Sequence, residues 1–238
     1  VSREAKKNAA YNIAVLFHEL GDPIRTFGWT KRSMSLMNSK DIKKFESSFF
    51  TIASDLFSRR KNVESIFVYK ELMNKLCRAK SRKKKVFFKN VVVMQLADSD
   101  LEGAAQTIKK AYKCRIPMKT IRESEFDLLK AYGENQRWNS YSKLLVNLKT
   151  VKKLWPRLIV HYARLANAYR STGRVSLVTD AEKTMMKLYS YAKRRRMDIP
   201  LESLDVVADV KMRNVKKSYE RVSAIKLRFP EKVFNRQL

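Results

Sequence analysis

The residues best suited to chemistry in this chain are cations that occur in runs. Lys75, Arg78, Lys80, Arg82, Lys83, Lys84, Lys85 and Lys89 follow one another with no acid between them. Lys149, Lys152, Lys153 and Arg157 form a second group, and Lys193, Arg194, Arg195 and Arg196 a third. Such side chains neutralise phosphates and release the counterions condensed on a polyanion, which gives an affinity that falls steeply with salt. The charge balance points the same way: 52 Lys and Arg against 23 Asp and Glu leave a net charge of +29 in 238 residues. That excess repels itself in a compact state and implies a polyanionic partner, nucleic acid before an anionic membrane surface. No apolar run approaches the roughly 20 residues that span a bilayer, so membrane insertion is not expected. Any one group taken singly is equally a solvated helix end, where Lys and Arg meet the negative end of the helix dipole. Three groups on so basic a chain favour phosphate.

Other chemistry has little to work with. His18 and His161 are the only histidines, and the chain has neither a Gly-rich phosphate loop ending in Gly-Lys-Ser or Gly-Lys-Thr nor a His-Glu-x-x-His pair. No catalytic residue, metal or cofactor is therefore expected. Asp98, Asp100 and Glu102 are an acidic group that a turn and a helix start explain more simply than a metal. Cys77 and Cys114 are too few for a metal site and suggest no disulfide framework. They lie 37 residues apart and read as free, buried thiols at equivalent helix positions, consistent with a reducing compartment. Phe57, Tyr132, Trp138, Tyr141 and Tyr169 recur at helical spacing and read as core. Trp155, in a linker beside Lys152, Lys153, Pro156 and Arg157, is the aromatic best placed to stack on an unpaired base, with packing as the preferred reading.

What must position these groups is a repeat. FDLLKAYGENQRWNSYSKLL at 126–145 and YARLANAYRSTGRVSLVTDA at 162–181 share one phase: Leu128 matches Leu165, Ala131 Ala168, Tyr132 Tyr169, Arg137 Arg174 and Trp138 Val175, each pair 37 residues apart. Each copy is an apolar set at helical spacing, a short polar turn and a second apolar set, which predicts two helices joined by a tight turn. Such a hairpin cannot bury its apolar faces alone and stacks on its neighbours. The same phase predicts hairpins at 91–112, with its turn at 98–100, and at 49–72, and a weaker one at 204–225. Residues 11–20 predict a helix ended by Gly21, Asp22 and Pro23, whose partner around 29–37 fits the phase poorly. A strand at 86–88 and 91–93 lacks flanking turn chemistry, so helix is preferred. Five glycines and five prolines suit a helix-dominated chain, and Pro117, Pro156 and Pro200 mark hairpin boundaries. The expected fold is all-α, an α-solenoid of about five to six degenerate hairpins. Its parts are an N-terminal helical segment at 1–44, repeats at 45–200 and a C-terminal cap and tail at 201–238. Residues 1–17 carry Glu4 and run straight into apolar helix-like sequence, unlike an intact transit peptide.

YARLANAYRSTGRV at 162–175, the apolar helix after it and the closing Ile199 and Pro200 resemble a pentatricopeptide repeat. So do LLKAYGENQRW at 128–138 and the copy from Val86 that ends in Arg115, Ile116 and Pro117. The resemblance is good over 86–200, moderate over 45–80 and weak elsewhere, and tetratricopeptide repeats of 34-residue period are the nearest confusable pattern. It implies an α-solenoid in the mitochondrial matrix, or in chloroplasts, that contacts RNA in transcript processing, stability or translation, or within an organellar ribosome. Sequence-reading members of that family carry Asn, Ser or Thr two residues after the leading aromatic of the first helix. Here Arg164 follows Tyr162 at that place and Asp127 stands in the previous copy. The resemblance therefore implies binding through phosphates and RNA shape, with Arg164 joining the RNA-contacting cations. The three basic groups fall at or after the ends of second helices, and stacking would align them into one basic stripe. The expected role is an rRNA clamp in a mitochondrial ribosome, its apolar hairpin faces holding neighbouring proteins. The alternatives are a free RNA-processing or RNA-stabilising factor and a tetratricopeptide-like scaffold for protein partners.

Overall fold

The computed structural model describes residues 2–77, 79, 81 and 83–228, the side chains of 219 and 221–228 excepted. Every regular element among them is helical: α1 (Arg3–Glu19), α2 (Pro23–Leu36), α3 (Ser39–Lys44), α4 (Glu46–Ser58), α5 (Asn62–Leu76), α6 (Lys84–Ala97), α7 (Leu101–Lys113), α8 (Met118–Glu134), α9 (Trp138–Lys149), a 3-10 turn (Lys152–Leu154), α10 (Trp155–Ser171), α11 (Val175–Arg194) and α12 (Leu201–Arg228). The chain forms two compact units that divide between Asn135 and Gln136. In the first, α1 packs on α2, α4 on α5, α5 on α6, α6 on α7 and α7 on α8, and α6 also reaches α8. In the second, α9 and α11 both pack on α10, and α12 closes against α10 and α11. Sequential packing of this kind is the α-solenoid arrangement, and no strand occurs among the described residues.

The turns explain why helices pair. After α1, α4, α6, α8 and α10 the chain passes through one left-handed residue: Gly21, Arg60, Ser99, Gln136 and Gly173, with φ of 73°, 59°, 59°, 55° and 70°. At four of these the next amide reaches back across the turn, Asp22 N to Phe17 O, Lys61 N to Leu56 O, Asp100 N to Gln95 O and Arg174 N to Tyr169 O, at 2.8–3.0 Å. This C-terminal cap satisfies helix carbonyls that would otherwise lack donors. The second helix then starts two residues after the left-handed one, as α5, α7, α9 and α11 do.

Burial follows the predicted stripes. On α7, Leu101, Ala104, Thr107, Ile108 and Ala111 are buried at spacings of three and four. The first unit's core joins Phe49, Ile52 and Leu56 of α4 to Tyr69, Leu72 and Leu76 of α5 and to Phe87 and Val91 of α6. Each such side chain contributes about 1.5–3 kcal/mol when fully buried. The second unit's core is built from Tyr141, Leu145, Leu148, Leu158, Ile159, Leu165, Met185 and Leu188. The buried Ser203 hydroxyl donates to the Pro156 carbonyl at 3.0 Å and ties α12 to α10.

Several expectations change. The helix at 11–20 belongs to α1, and its partner is α2, which Asp22 caps at Arg25 N and Pro23 begins. The short α3 then intervenes before α4 and displaces the repeat phase. The weak hairpin at 204–225 is one continuous helix, because nothing between 201 and 228 is Gly or Pro. Trp155 lies not in a linker but at the first position of α10. Cys77 and Cys114, read as free thiols, are joined in a disulfide. They are the C-caps of α5 and α7, the second helices of successive hairpins, and the stacking that makes them equivalent also brings their Cα atoms to 4.4 Å.

The acidic group does the structural work expected of a helix start. Asp100 caps α7 by accepting from Gly103 N at 2.9 Å. Its second oxygen accepts from the Gln95 amide at 2.9 Å, and the Gln95 carbonyl accepts from the Thr107 hydroxyl at 2.8 Å, inside the core. A Cβ on Gly103 would lie 1.9 Å from Asp100 Oδ2. Gly103→Ala should therefore destabilise the protein by about 1–2 kcal/mol, the cost of a lost cap and a frustrated buried amide. Gly28→Ala, where a Cβ meets nothing within 4 Å, should be neutral or stabilising by up to about 1 kcal/mol; equal shifts in denaturant midpoint for the two variants would contradict this account. The disulfide closes a segment of 37 residues, so Cys77→Ser/Cys114→Ser should lose about 3–4 kcal/mol in chemical denaturation.

Candidate nucleic-acid interface

Four of the five described cations of the first group have partners within the fold. Lys75 Nζ donates to the Met37 carbonyl at 3.2 Å, so α5 caps the end of α2. Lys83 donates to the Ser47 hydroxyl at 2.8 Å and lies 5.7 Å from the centre of the Phe50 ring. Lys89 pairs with Glu123 at 3.0 Å and holds that carboxyl below its ordinary range. Lys84 is buried, against the expectation of a phosphate ligand. Its ammonium donates to the carbonyls of Cys77 and Cys114 at 3.1 and 3.2 Å, clasping the two helix ends that the disulfide joins. Burial, reinforced by Arg115, keeps the Lys84 pKa below the usual lysine value. Lys85 is exposed, and Arg78, Lys80 and Arg82 lie outside the described residues.

The second and third groups belong to the second unit, and there the structure brings them together. Lys152 Nζ lies 5.7 Å and the Arg195 guanidinium 5.9 Å from the centre of the Tyr191 ring. Trp155 meets the same ring edge-on, with centroids 4.5 Å apart. The Trp155 indole N–H donates to the Lys149 carbonyl at 2.8 Å, which fixes it as a packing residue and closes the end of α9. Lys152, Lys153, Arg157, Lys193, Arg194, Arg195 and Arg196 are all exposed, with Lys149 half-buried. Two basic segments some forty residues apart in sequence thus share one edge, organised by Tyr191. Sequence reasoning did not single out Tyr191, although its place one helical turn before Arg195 was visible.

Arg164 is exposed on α10 and acts on the interior through its field. The Tyr141 hydroxyl sits 2.8 Å from His161 Nδ1 and donates to the His161 carbonyl at 3.3 Å. Burial, then Arg164 and Arg157, pushes the His161 pKa down to about 4. Burial also raises Tyr141, and it pushes Tyr162 up to about 12. These groups stay neutral near pH 7 and are structural. No cluster of His, Cys, Asp and Glu fit for a metal occurs among the described residues, and no helix there is long and apolar enough to cross a membrane. Of the aromatics read as core, Tyr132 and Tyr141 are buried, Trp138 and Tyr169 are half-buried, and Phe57 is exposed.

No protein-family model matches the chain, and no curated protein matches it. Among solved structures it is similar to a TPR-like-repeat protein of Podosopora anserina described as a kinesin light chain, at 13% identity and a TM-score of 0.39, covering 79% of this chain and 96% of that one. A single-substitution variant of that same protein gives 12% identity and a TM-score of 0.37, covering 82% and 99%.

The depressed His161 pKa has a testable sign. Between pH 6.5 and about 4 the unfolded chain takes up a proton that the folded chain refuses. This contribution to stability is whole above pH 6.5 and is lost as pH falls to about 4, by up to about 3 kcal/mol. Denaturant titrations across that window should show a steeper decline for the native protein than for His161→Phe. Parallel declines would place the acid sensitivity elsewhere.

Proposed function

We propose that this chain is a basic helical-repeat protein that binds RNA through the edge around Tyr191 and serves as a structural component of an organellar ribonucleoprotein. The setting that fits best is the mitochondrial ribosome, where the protein clamps rRNA and contacts neighbouring proteins. The observation that carries this reading is the convergence of Lys152 and Arg195 on one aromatic ring, with Lys153, Arg194 and Arg196 exposed beside them. Cations held this way contact phosphates without reading bases. The residues at the base-reading place, Arg164 and Asp127, support the same conclusion. A free RNA-processing or RNA-stabilising factor of pentatricopeptide type would use the same edge.

A tetratricopeptide-like scaffold role is supported by apolar side chains left in solvent on the second unit, Val146, Val175, Leu201 and Met212, each 62–78% exposed. The two roles are compatible in a large assembly. The mitochondrial matrix, or a chloroplast, is the proposed location. Disulfides persist mainly where thiols are oxidised, and in a reducing matrix the Cys77–Cys114 bond would depend on the complete burial of Cys114.

Single-stranded RNA binding should weaken with salt along a line of log affinity against log salt. Lys152→Gln/Lys153→Gln/Arg195→Gln should reduce its slope by about 2, since each lost phosphate contact removes about 0.7. An unchanged slope would move the interface elsewhere, and no binding at low salt would leave the scaffold reading. Sedimentation of an organelle lysate then separates a ribosomal component, which travels with a subunit, from a free factor.

A further inference from the structure

The second unit holds a cavity of about 370 Å³ that the RNA edge does not use. Arg137 and Trp138 at the start of α9 line it, together with Tyr169 and Arg174 from the turn between α10 and α11. It lies about 20 Å along α10 from Trp155, so it is a separate place on the molecule. The volume is within the range of small-molecule sites, about 300–1,000 Å³.

The wall chemistry is selective. Arg137 and Arg174 stand 37 residues apart at equivalent repeat positions, each directly after a left-handed residue, Gln136 or Gly173. The shared turn geometry thus brings one arginine from each turn into the lining of the same cavity. Both arginines are exposed, neither has an acidic partner among the described residues, and no carboxylate lines the cavity. Trp138 and Tyr169 are half-buried there, so apolar ring surface lies beside the two charges. Asn139 and Ser140 add side-chain donors and acceptors.

We propose that this cavity binds a nucleoside monophosphate group, its phosphate between Arg137 and Arg174 and its base against Trp138 and Tyr169. A phosphate near pH 7 carries close to two negative charges, as P–OH ionises with a second pKa near 6, and so matches two unpaired guanidiniums where a carboxylate would leave one uncompensated. Guanidinium forks also fit phosphate oxygens in pairs, and aromatic rings accept any base by stacking. The group comes from a free mononucleotide or from the phosphorylated end of a single strand.

The test uses the full chain and calorimetry with UMP, AMP, uridine, inorganic phosphate and phosphotyrosine, then with short RNA strands bearing a 5′ phosphate or a 5′ hydroxyl. The expected result is saturable binding of UMP and AMP at similar affinity, weaker binding of phosphate, and none of uridine. Arg137→Gln and Arg174→Gln should each weaken mononucleotide binding at least about tenfold, about 1.4 kcal/mol, with melting temperature unchanged because both side chains are exposed. The indole N–H resonance of Trp138, assigned with Trp138→Phe, should shift on addition of UMP while that of Trp155 does not. A free nucleotide is the source if strands gain nothing over UMP. A strand end is the source if the 5′-phosphorylated strand binds more tightly and loses that advantage in Arg174→Gln. Absence of phosphate-dependent binding by any probe, phosphotyrosine binding as tight as UMP, or indifference to both arginine variants would overturn the proposal. Lys152→Gln/Lys153→Gln/Arg195→Gln should leave UMP binding unchanged, so this site and the RNA edge stand or fall separately.

Discussion

The structure depends on a backbone conformation more than on any side chain: one left-handed residue after each first helix, locked at four of the five turns by the amide that follows it. That pair of constraints ends the helix, satisfies its last carbonyls and starts the next helix two residues later. The left-handed position costs a residue with a Cβ about 1–2 kcal/mol, and Arg60, Ser99 and Gln136 all carry one. Arg60 and Ser99 hold it because reversing the chain there lets the apolar faces of α4 and α5, and of α6 and α7, meet. The spacing of these residues, 39, 39, 37 and 37, is the true repeat of the chain. It is 39 in the two upstream spans, of which only the first contains α3.

The same constraint explains what could be read beforehand. The five pairs from Leu128/Leu165 to Trp138/Val175 are in phase because they straddle Gln136 and Gly173, where the spacing is 37. Carried upstream from Tyr132, a strict 37 points to Ser58, while the equivalent residue, four before the left-handed Arg60, is Leu56. Gly21 announced its turn through its type and through Asp22 and Pro23, whereas Arg60, Ser99 and Gln136 carry no such mark. The end of α1 was thus legible, and its partner was legible in part, at 29–37 against the observed Pro23–Leu36. Cys77 and Cys114 show their shared repeat position in the sequence, but their approach to bonding distance is a property of how α5 and α7 stack, which no spacing reports.

Charge runs were the least faithful guide to surface. Lys84 and Lys152 sit in similar basic stretches, yet one is buried against two carbonyls and the other is exposed over an aromatic ring. The difference lies in what the neighbouring helix ends leave unsatisfied. Carbonyls at the C-termini of α2, α5 and α7 need donors, and long lysine side chains from nearby positions supply them. Around α11 the last turn is capped by its own backbone through Arg196, with Arg194 adding a bond to the Ser190 carbonyl at 3.4 Å, and Lys193, Arg195 and Arg196 stay exposed. A run of lysines therefore measures how many donors a region has, and the packing decides how many remain for a partner.

The acids show why those remaining cations stay unbalanced. Asp41 is held by Lys7, Glu125 by Arg122, Glu123 by Lys89, and Glu182 by Arg170 with Arg213 nearby. These pairs tie four of the 23 acids to particular side chains within each unit. The surplus positive charge then sits on exposed ends such as 193–196, where only water and salt screen it. Self-repulsion of this kind weakens a compact state, and a bound polyanion removes it, adding its binding free energy to the stability of the folded chain. The net charge of +29 therefore ties the stability of the folded chain to the ionic strength around it.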